Sequence, residues 1–284
     1  MIVLRELASA KVNLYLHVTG KRADGYHLLD SLLGFTDFAD KLEVVPAPGL
    51  TLTLEGPFAQ SISDRDNSVL RAAGLLREYA KVRAGAAITL HKHIPVAAGV
   101  GGGSADAAAA LRLLMRFWNI KVPQEELNAM ALALGADVPA CLHSSSLYVG
   151  GVGERIEPGP PLAGTHMVLV NPGRPLPTPE VFAAYAPPFS TPARHPASFA
   201  TLSACVEFLR RAGNDLEAPA IRRMPEVAEV LGAIAAQPGC LLARMSGSGA
   251  TCFGLFAVAA GAADAALALR VAHDTWWVQA TTLR

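Results

Sequence analysis

The chain contains no cysteine pair at metal or redox spacing. Cys141, Cys205, Cys240 and Cys252 are its only four, all far apart, so no zinc site or redox couple is expected and a reducing cytoplasm is the simplest setting. It also lacks net charge: 24 Lys and Arg offset 24 Asp and Glu over 284 residues. No whole-molecule field exists to gather nucleic acid or anionic lipid, so neither is an expected partner and any anion must be held locally. Long apolar runs are missing too. The most apolar late stretch, residues 255–269, is interrupted by Asp264 and falls short of the about 20 residues a spanning helix needs. Near the N-terminus, Arg5 and Glu6 come before any apolar segment of signal-peptide length, so no leader is expected. The charged fraction is only 17% against 51% hydrophobic, which excludes a disordered or coiled-coil protein and describes a compact enzyme. No internal repeat is visible.

The length exceeds the about 100–200 residues usual for one domain, so two modules are expected. Prolines become dense between Pro158 and Pro188, which places a boundary near Gly159 and divides the chain into 1–159 and 160–284. Val12, Leu14, Leu16 and Val18 alternate with Lys11, Asn13, Tyr15 and His17, predicting a strand with one buried face, followed by a turn at residues 22–25. Further strands are predicted over 41–45, 50–54, 86–92 and 167–170. Helices are predicted over 68–81 behind Asn67 as N-cap, over 104–118, from 123 to a stop at Gly135, and over 179–185, 198–212 and 225–236. A strand, a glycine loop, a strand and a helix ending near residue 272 complete the pattern. Without a regular βαβ repeat, the fold class is α+β.

The strongest chemical signal is the stretch IPVAAGVGGGSADAAAA, from Ile94 to Ala110. Gly99, Gly101, Gly102 and Gly103 precede the helix marked by Leu111, Leu114, Met115 and Trp118. Glycine lets backbone N–H groups approach phosphate oxygens, and a helix N-terminus adds its positive dipole end. The bland alternative is a flexible turn. No lysine follows the glycines, so this is not a P-loop, and the Rossmann placement directly after a strand is absent as well. Ser104 is either a phosphate contact or a helix cap, and Asp137, between Gly135 and Pro139, has the spacing of an N-cap. His91 and His93 share a strand face, but two ligands without a third predict no metal set in the protein.

Pro95, the glycine run and the following Ser-x-Asp-Ala resemble the nucleotide-binding motif of the GHMP kinases, with Ala105 where that family usually has a second serine. Further landmarks occur in the family's order along nearly the whole chain. These are Ala10-Lys11-Val12-Asn13-Leu14, the turn Arg22-Ala23-Asp24-Gly25-Tyr26-His27, Asp66-Asn67, and Leu134-Gly135-Ala136-Asp137-Val138-Pro139. Gly151-Val152-Gly153-Glu154, Pro177-Thr178-Pro179 with Phe182, Asn214-Asp215-Leu216-Glu217 and Ser246-Gly247-Ser248-Gly249-Ala250 follow. Each alone is weak, but the ordered set is strong.

The resemblance implies a two-lobed fold with its site between the lobes. It also implies ATP as co-substrate with Mg²⁺, and transfer of the γ-phosphoryl group to an alcohol. The implied acceptor is 4-diphosphocytidyl-2-C-methyl-D-erythritol, phosphorylated on its 2-hydroxyl in the non-mevalonate route to isoprenoid precursors. The implied roles are Asp137 as base or hydroxyl-orienter and Lys11 as its electrostatic partner. ATP is expected on Pro95, Val96, Ala97, Ala98, Gly99, Val100, Gly101, Gly102, Gly103, Ser104 and Ala105, with Asn67 and Lys92 on the adenosine side. Tyr26, His27 and Phe182 are expected around the cytosine, Asn13, Thr178 and Pro179 along the rest of the acceptor, and Ser246, Gly247, Ser248 and Gly249 at the substrate diphosphate. The rival readings are another GHMP kinase, for homoserine, mevalonate or a sugar, and a catalytically silent metabolite sensor on the same fold.

Overall fold

The alternation from residue 11 belongs to a longer strand, β1 (Leu4–Lys21), which is buried on both faces from residue 11 to residue 16 instead of one. Its polar side chains are buried because they find partners: Lys11 Nζ donates to Asn13 Oδ1 at 3.0 Å and Tyr15 Oη to Asp30 Oδ1 at 3.1 Å. The computed structural model describes residues 3–63, 67–96 and 98–284. They form two compact units, each assembled from separated stretches: Met1–Ala10, Ala39–Val96 and Gly101–Ser144 in the first, Lys11–Phe38, Ala97–Val100 and Ser145–Arg284 in the second. The compact units therefore follow a different division from a single cut near residue 159.

In the first unit, the later part of β2 (His27–Ala47) pairs antiparallel with β4 (Gly85–His91), placing Lys41 opposite His91. β3 (Leu50–Glu55) runs parallel to β4. Four helices accompany them: α1 (Ser68–Tyr79), α2 (Gly102–Phe117), α3 (Gln124–Leu134) and α4 (Val138–His143). Val69, Ala72, Ala73 and Leu76 are buried at helical spacing on α1, which packs on α2. The unbroken buried alanines 107–110 let α2 approach its neighbours closely.

In the second unit, β7 (His166–Asn171), β8 (Cys240–Met245), β9 (Cys252–Phe256) and β10 (Trp277–Thr282) form an antiparallel sheet in the order β10-β7-β9-β8. Alternation divides its core. Val168, Val170, Cys252 and Phe256 face α8 (Glu226–Ala235) and α9 (Ala259–Ala272). Met167, Leu169, Phe253 and Leu255 pack with β1 and α6 (Leu202–Ala212). Each such fully buried side chain contributes about 1.5–3 kcal/mol. The earlier part of β2 pairs with β5 (Leu147–Gly151), which pairs with β6 (Arg155–Pro158). α5 (Thr178–Ala183) and α7 (Glu217–Arg223) complete the unit.

The mixture of helices and strands is α+β, as expected. The helix predicted from 198 starts only at Leu202, because Thr201 Oγ1 accepts from the Ala204 amide at 3.1 Å and caps it there. Residues 184–201 instead form a long irregular segment. None of the four cysteines is in a disulfide, and three of them, Cys141, Cys205 and Cys252, are buried. Among the described residues, no helix is long and apolar enough to cross a membrane.

Candidate active site

α2 begins two residues earlier than its apolar spacing indicates, inside the glycine run. Gly101 precedes it in the left-handed region at φ 67°, and the first helical hydrogen bond runs from the Ala105 amide to Gly101 O at 2.8 Å. The N–H groups of Gly102, Gly103 and Ser104 come before that bond, where a helix has no internal acceptors. This is the arrangement that receives a phosphate. A Cβ on Gly103 would meet nothing within 4 Å, so its approach is open. Ser104 lies within the first turn and is not the N-cap. Its Oγ is 4.0 Å from the position of a Cβ on Gly135.

Asn67 does cap a helix, accepting from the Val69 amide at 2.9 Å, and Ser68 Oγ donates to Gly103 O at 3.0 Å. The start of α1 thus lies against the start of α2. Pro95 and Ala105 are buried and Val96 is exposed. Ala97 and Asp66 lie outside the described residues.

Lys92 is 2% exposed, and its ammonium donates to Asp106 Oδ2 at 2.7 Å and to Asp40 Oδ2. Asp40 also accepts from the His93 and Ile94 amides, at 2.5 and 2.8 Å. Burial works against the Lys92 charge, but Asp106 and Asp40 outweigh it and raise its pKa. Burial raises the Asp106 carboxyl; Lys92 opposes this, Asp40 adds to it, and Oδ1 has no hydrogen-bond partner among the described residues. Two buried carboxylates on one ammonium thus tie the strand end at Lys92 to the first turns of α2. Asp40 carries no motif in the sequence, and only the tertiary pairing exposes it.

Asp137 stands between α3 and α4. It is half-buried, and its side chain makes no cap hydrogen bond, so the spacing that suits an N-cap is not used for one. Arg112 of α2 holds the other end of α4, donating to Cys141 O at 2.7 Å and Leu142 O at 3.4 Å, while its Nε meets Glu6 Oε1 at 3.0 Å.

In the second unit, Lys11 and Asn13 sit side by side on β1, 6% and 7% exposed. Asn13 Nδ2 donates to Ser31 Oγ at 2.8 Å, and the Asn13 amide donates to Ser246 Oγ at 3.0 Å. The Lys11 amide donates to Val100 O at 2.9 Å, and the Thr251 amide to Ala98 O at 3.2 Å. Residues 98–100 therefore run between β1 and the loop at 246–249. At Gly99, φ is +76° and a Cβ would lie 2.3 Å from Gly249 O, an approach only glycine allows. Asn214 Nδ2 fixes that loop through Met245 O and Gly247 O at 2.8 and 2.9 Å. Thr178, at the exposed start of α5 beside Pro179, shares a 2.8 Å hydrogen bond with Ser248.

The turn before β2 is closed by Gly25 at φ +92° and leaves Tyr26 66% exposed. His27 stacks on Phe182 at 5.1 Å and 27° and meets Tyr185 edge-on at 6.2 Å. Burial, then Lys21, lowers the His27 pKa, so the ring is neutral at neutral pH and presents one donor and one acceptor. The structure thus brings together Lys11, Asn13 and the 246–249 loop, and separately His27 with Phe182. Ser31 was not marked by any motif.

The chain matches the family described as GHMP kinases N terminal domain over residues 67–145 and that described as GHMP kinases C terminal over 198–273. It is 54% identical over 271 residues to the 4-diphosphocytidyl-2-C-methyl-D-erythritol kinase of Paramagnetospirillum magneticum, covering 95% of each chain. The kinase of the same name from Rhodospirillum rubrum is 51% identical, over 98% of this chain and 92% of that one. Among solved structures, a 4-(cytidine 5'-diphospho)-2C-methyl-D-erythritol kinase superposes with a TM-score of 0.82 at 39% identity, over 99% of both chains.

Proposed function

The chain belongs to the GHMP kinases, and on that premise we propose that it moves the γ-phosphoryl group of ATP to the 2-hydroxyl of 4-diphosphocytidyl-2-C-methyl-D-erythritol. The observation that carries this reading is the likeness to kinases of that name at about half identity over nearly the whole length. The geometry supports it. The first N–H groups of α2 receive the ATP phosphates through Gly102, Gly103 and Ser104, with Pro95–Val100 leading in and Asn67 beside them. His27 and Phe182 take the cytosine, with Tyr26 exposed next to them, because a flat base needs an aromatic face and its edge needs a donor and an acceptor. Asn13, Thr178, Pro179 and the 246–249 loop serve the remainder of the acceptor. In this reading the family domains are 1–159 and 160–284.

Asp137 accepts or orients the hydroxyl proton as the oxygen attacks, and the Lys11 ammonium stabilises the charge on the transferred group. The buried Lys92 ammonium serves the ATP side indirectly, by fixing the start of α2. Mg²⁺ fits the donor chemistry present, since Ser104 offers a hard hydroxyl oxygen in the first turn of α2. It would be held mainly by ATP phosphate oxygens and water with Ser104, and would neutralise phosphoryl charge when bound. Cytoplasmic residence is proposed from the same metabolic role.

Purified protein with ATP and Mg²⁺ is offered the cytidine, uridine and adenosine forms of the methylerythritol diphosphate, and homoserine, mevalonate and galactose. ADP release is followed. The cytidine compound is expected to lead in kcat/KM. Equal values for the three bases would defeat the base pocket, and turnover of none would defeat the assignment.

A further inference from the structure

Residues 184–201 join the Phe182 end of the aromatic group to α6, and no residue from 182 to 200 is buried. Ala193 and Phe199 pack partly buried against the core, and the rest of the hold on this segment comes from its polar anchors. They converge on Asp30, a β2 residue that is 4% exposed and has no part in the proposed chemistry. Asp30 Oδ2 accepts from the Ala193 amide at 2.6 Å. Its Oδ1 lies 2.8 Å from His195 Nε2 and accepts from Tyr15 Oη at 3.1 Å. The His195 ring is clamped from the other side by Tyr148, stacked at 4.1 Å and 2°, whose hydroxyl donates to Pro196 O at 2.9 Å.

β1 supplies a second row of anchors, with the Ser190 amide on Val18 O at 3.0 Å and His17 Nδ1 facing Thr191 O at 3.2 Å. Upstream, Tyr185 Oη donates to Pro188 O at 2.8 Å and its ring stacks on Phe189. The same Tyr185 meets His27 edge-on. A continuous set of contacts therefore runs from Asp30 through the segment to the His27–Phe182 pair.

We infer that Asp30 is a positioning residue for the acceptor: by clasping residues 190–196 it sets Tyr185, and through it the His27–Phe182 stack, in the place that receives the base. This rests on the proposed acceptor reading of His27 and Phe182. A buried carboxylate is required because one group must accept from a backbone amide, a phenol and an imidazole at once, and an alanine would leave all three without an acceptor.

The test is steady-state kinetics on Asp30→Ala, with KM measured separately for the cytidylyl acceptor and for ATP, together with trypsin cleavage after Arg194, an exposed residue inside the clasped segment. The acceptor KM is expected to rise about tenfold, with ATP KM and kcat within about twofold, and cleavage after Arg194 to accelerate. His195→Ala, at a half-exposed ring, gives the same pattern at smaller size and carries the test if Asp30→Ala does not fold. His27→Ala reports on the pocket alone. An unchanged acceptor KM there refutes the pocket reading. A raised acceptor KM in His27→Ala with an unchanged one in Asp30→Ala refutes only the clasp, as does an equal rise in both KM values of Asp30→Ala.

Discussion

Asp106→Asn is expected to strengthen the fold above neutral pH, although it removes half of a buried ion pair. The fold raises the Asp106 carboxyl from 3.8 to about 7, burial being the largest cause, with Lys92 opposing and Asp40 adding. That is roughly three pH units at about 1.4 kcal/mol each, or about 4 kcal/mol between the two protonation states. Because the folded value lies above the unfolded one, the stability contributed is complete below pH 3.8 and is lost as pH rises through about 7. The asparagine is neutral throughout and does not suffer that loss, and its amide oxygen still accepts from Lys92. Urea unfolding of both proteins at pH 5 and pH 8 measures the effect. The stability difference in favour of the variant is expected to grow by about 3 kcal/mol between those two values. A difference that does not change with pH refutes the reasoning. So does a variant weaker at pH 8 by the about 3–5 kcal/mol that breaking a needed buried pair costs.

Gly99→Ala forces a side chain to within 2.3 Å of Gly249 O at φ +76° and is expected to cost about 2 kcal/mol or more, read as a lowered urea midpoint; an unchanged midpoint rules out the close approach. Asp137→Asn is expected to lower kcat by about 10²–10⁴; a kcat within a few-fold of the parent removes Asp137 from the chemistry. His27 has a lowered pKa, so its ring gains charge only as pH falls below its ordinary value of about 6.5. The unfolded chain then takes up the proton first, so stability falls with pH, and kcat/KM for the acceptor declines in the same range. A His27→Gln variant with the same acid limb shows that another group is responsible.

The glycine run, α2 and the landmark residues were legible in the sequence because they are local: a spacing of i, i+3, i+4 and i+7 or a string of glycines needs no partner to be recognised. Asp137 was legible only as a choice between two roles, a helix cap and a part in the chemistry. Most of β2 was not legible. Its 21 residues include Asp30, Asp37, Asp40 and Gly34, and neither clean alternation nor an apolar run marks them. Asp30 and Asp40 are tolerated inside a strand because Ala193, His195 and Lys92 satisfy them from far along the chain. β10 was likewise hidden, since six residues reading WVQATT become a strand only against β7. The clasp at 190–196 had no signal beyond its prolines, because its order comes from side chains on other elements.

The buried cysteines turn the molecule into its own clock for opening. Only a thiolate reacts with an alkylating reagent, and burial pushes the Cys205 thiol up to about 11 and Cys252 well above its ordinary range, so both stay silent while the second unit is closed. Cys141 reports from α4 in the first unit, next to the segment that carries Asp137. Mass-resolved labelling of these three positions over time, with and without ATP, separates opening around α4 from opening of the β9 core without introducing a single foreign residue.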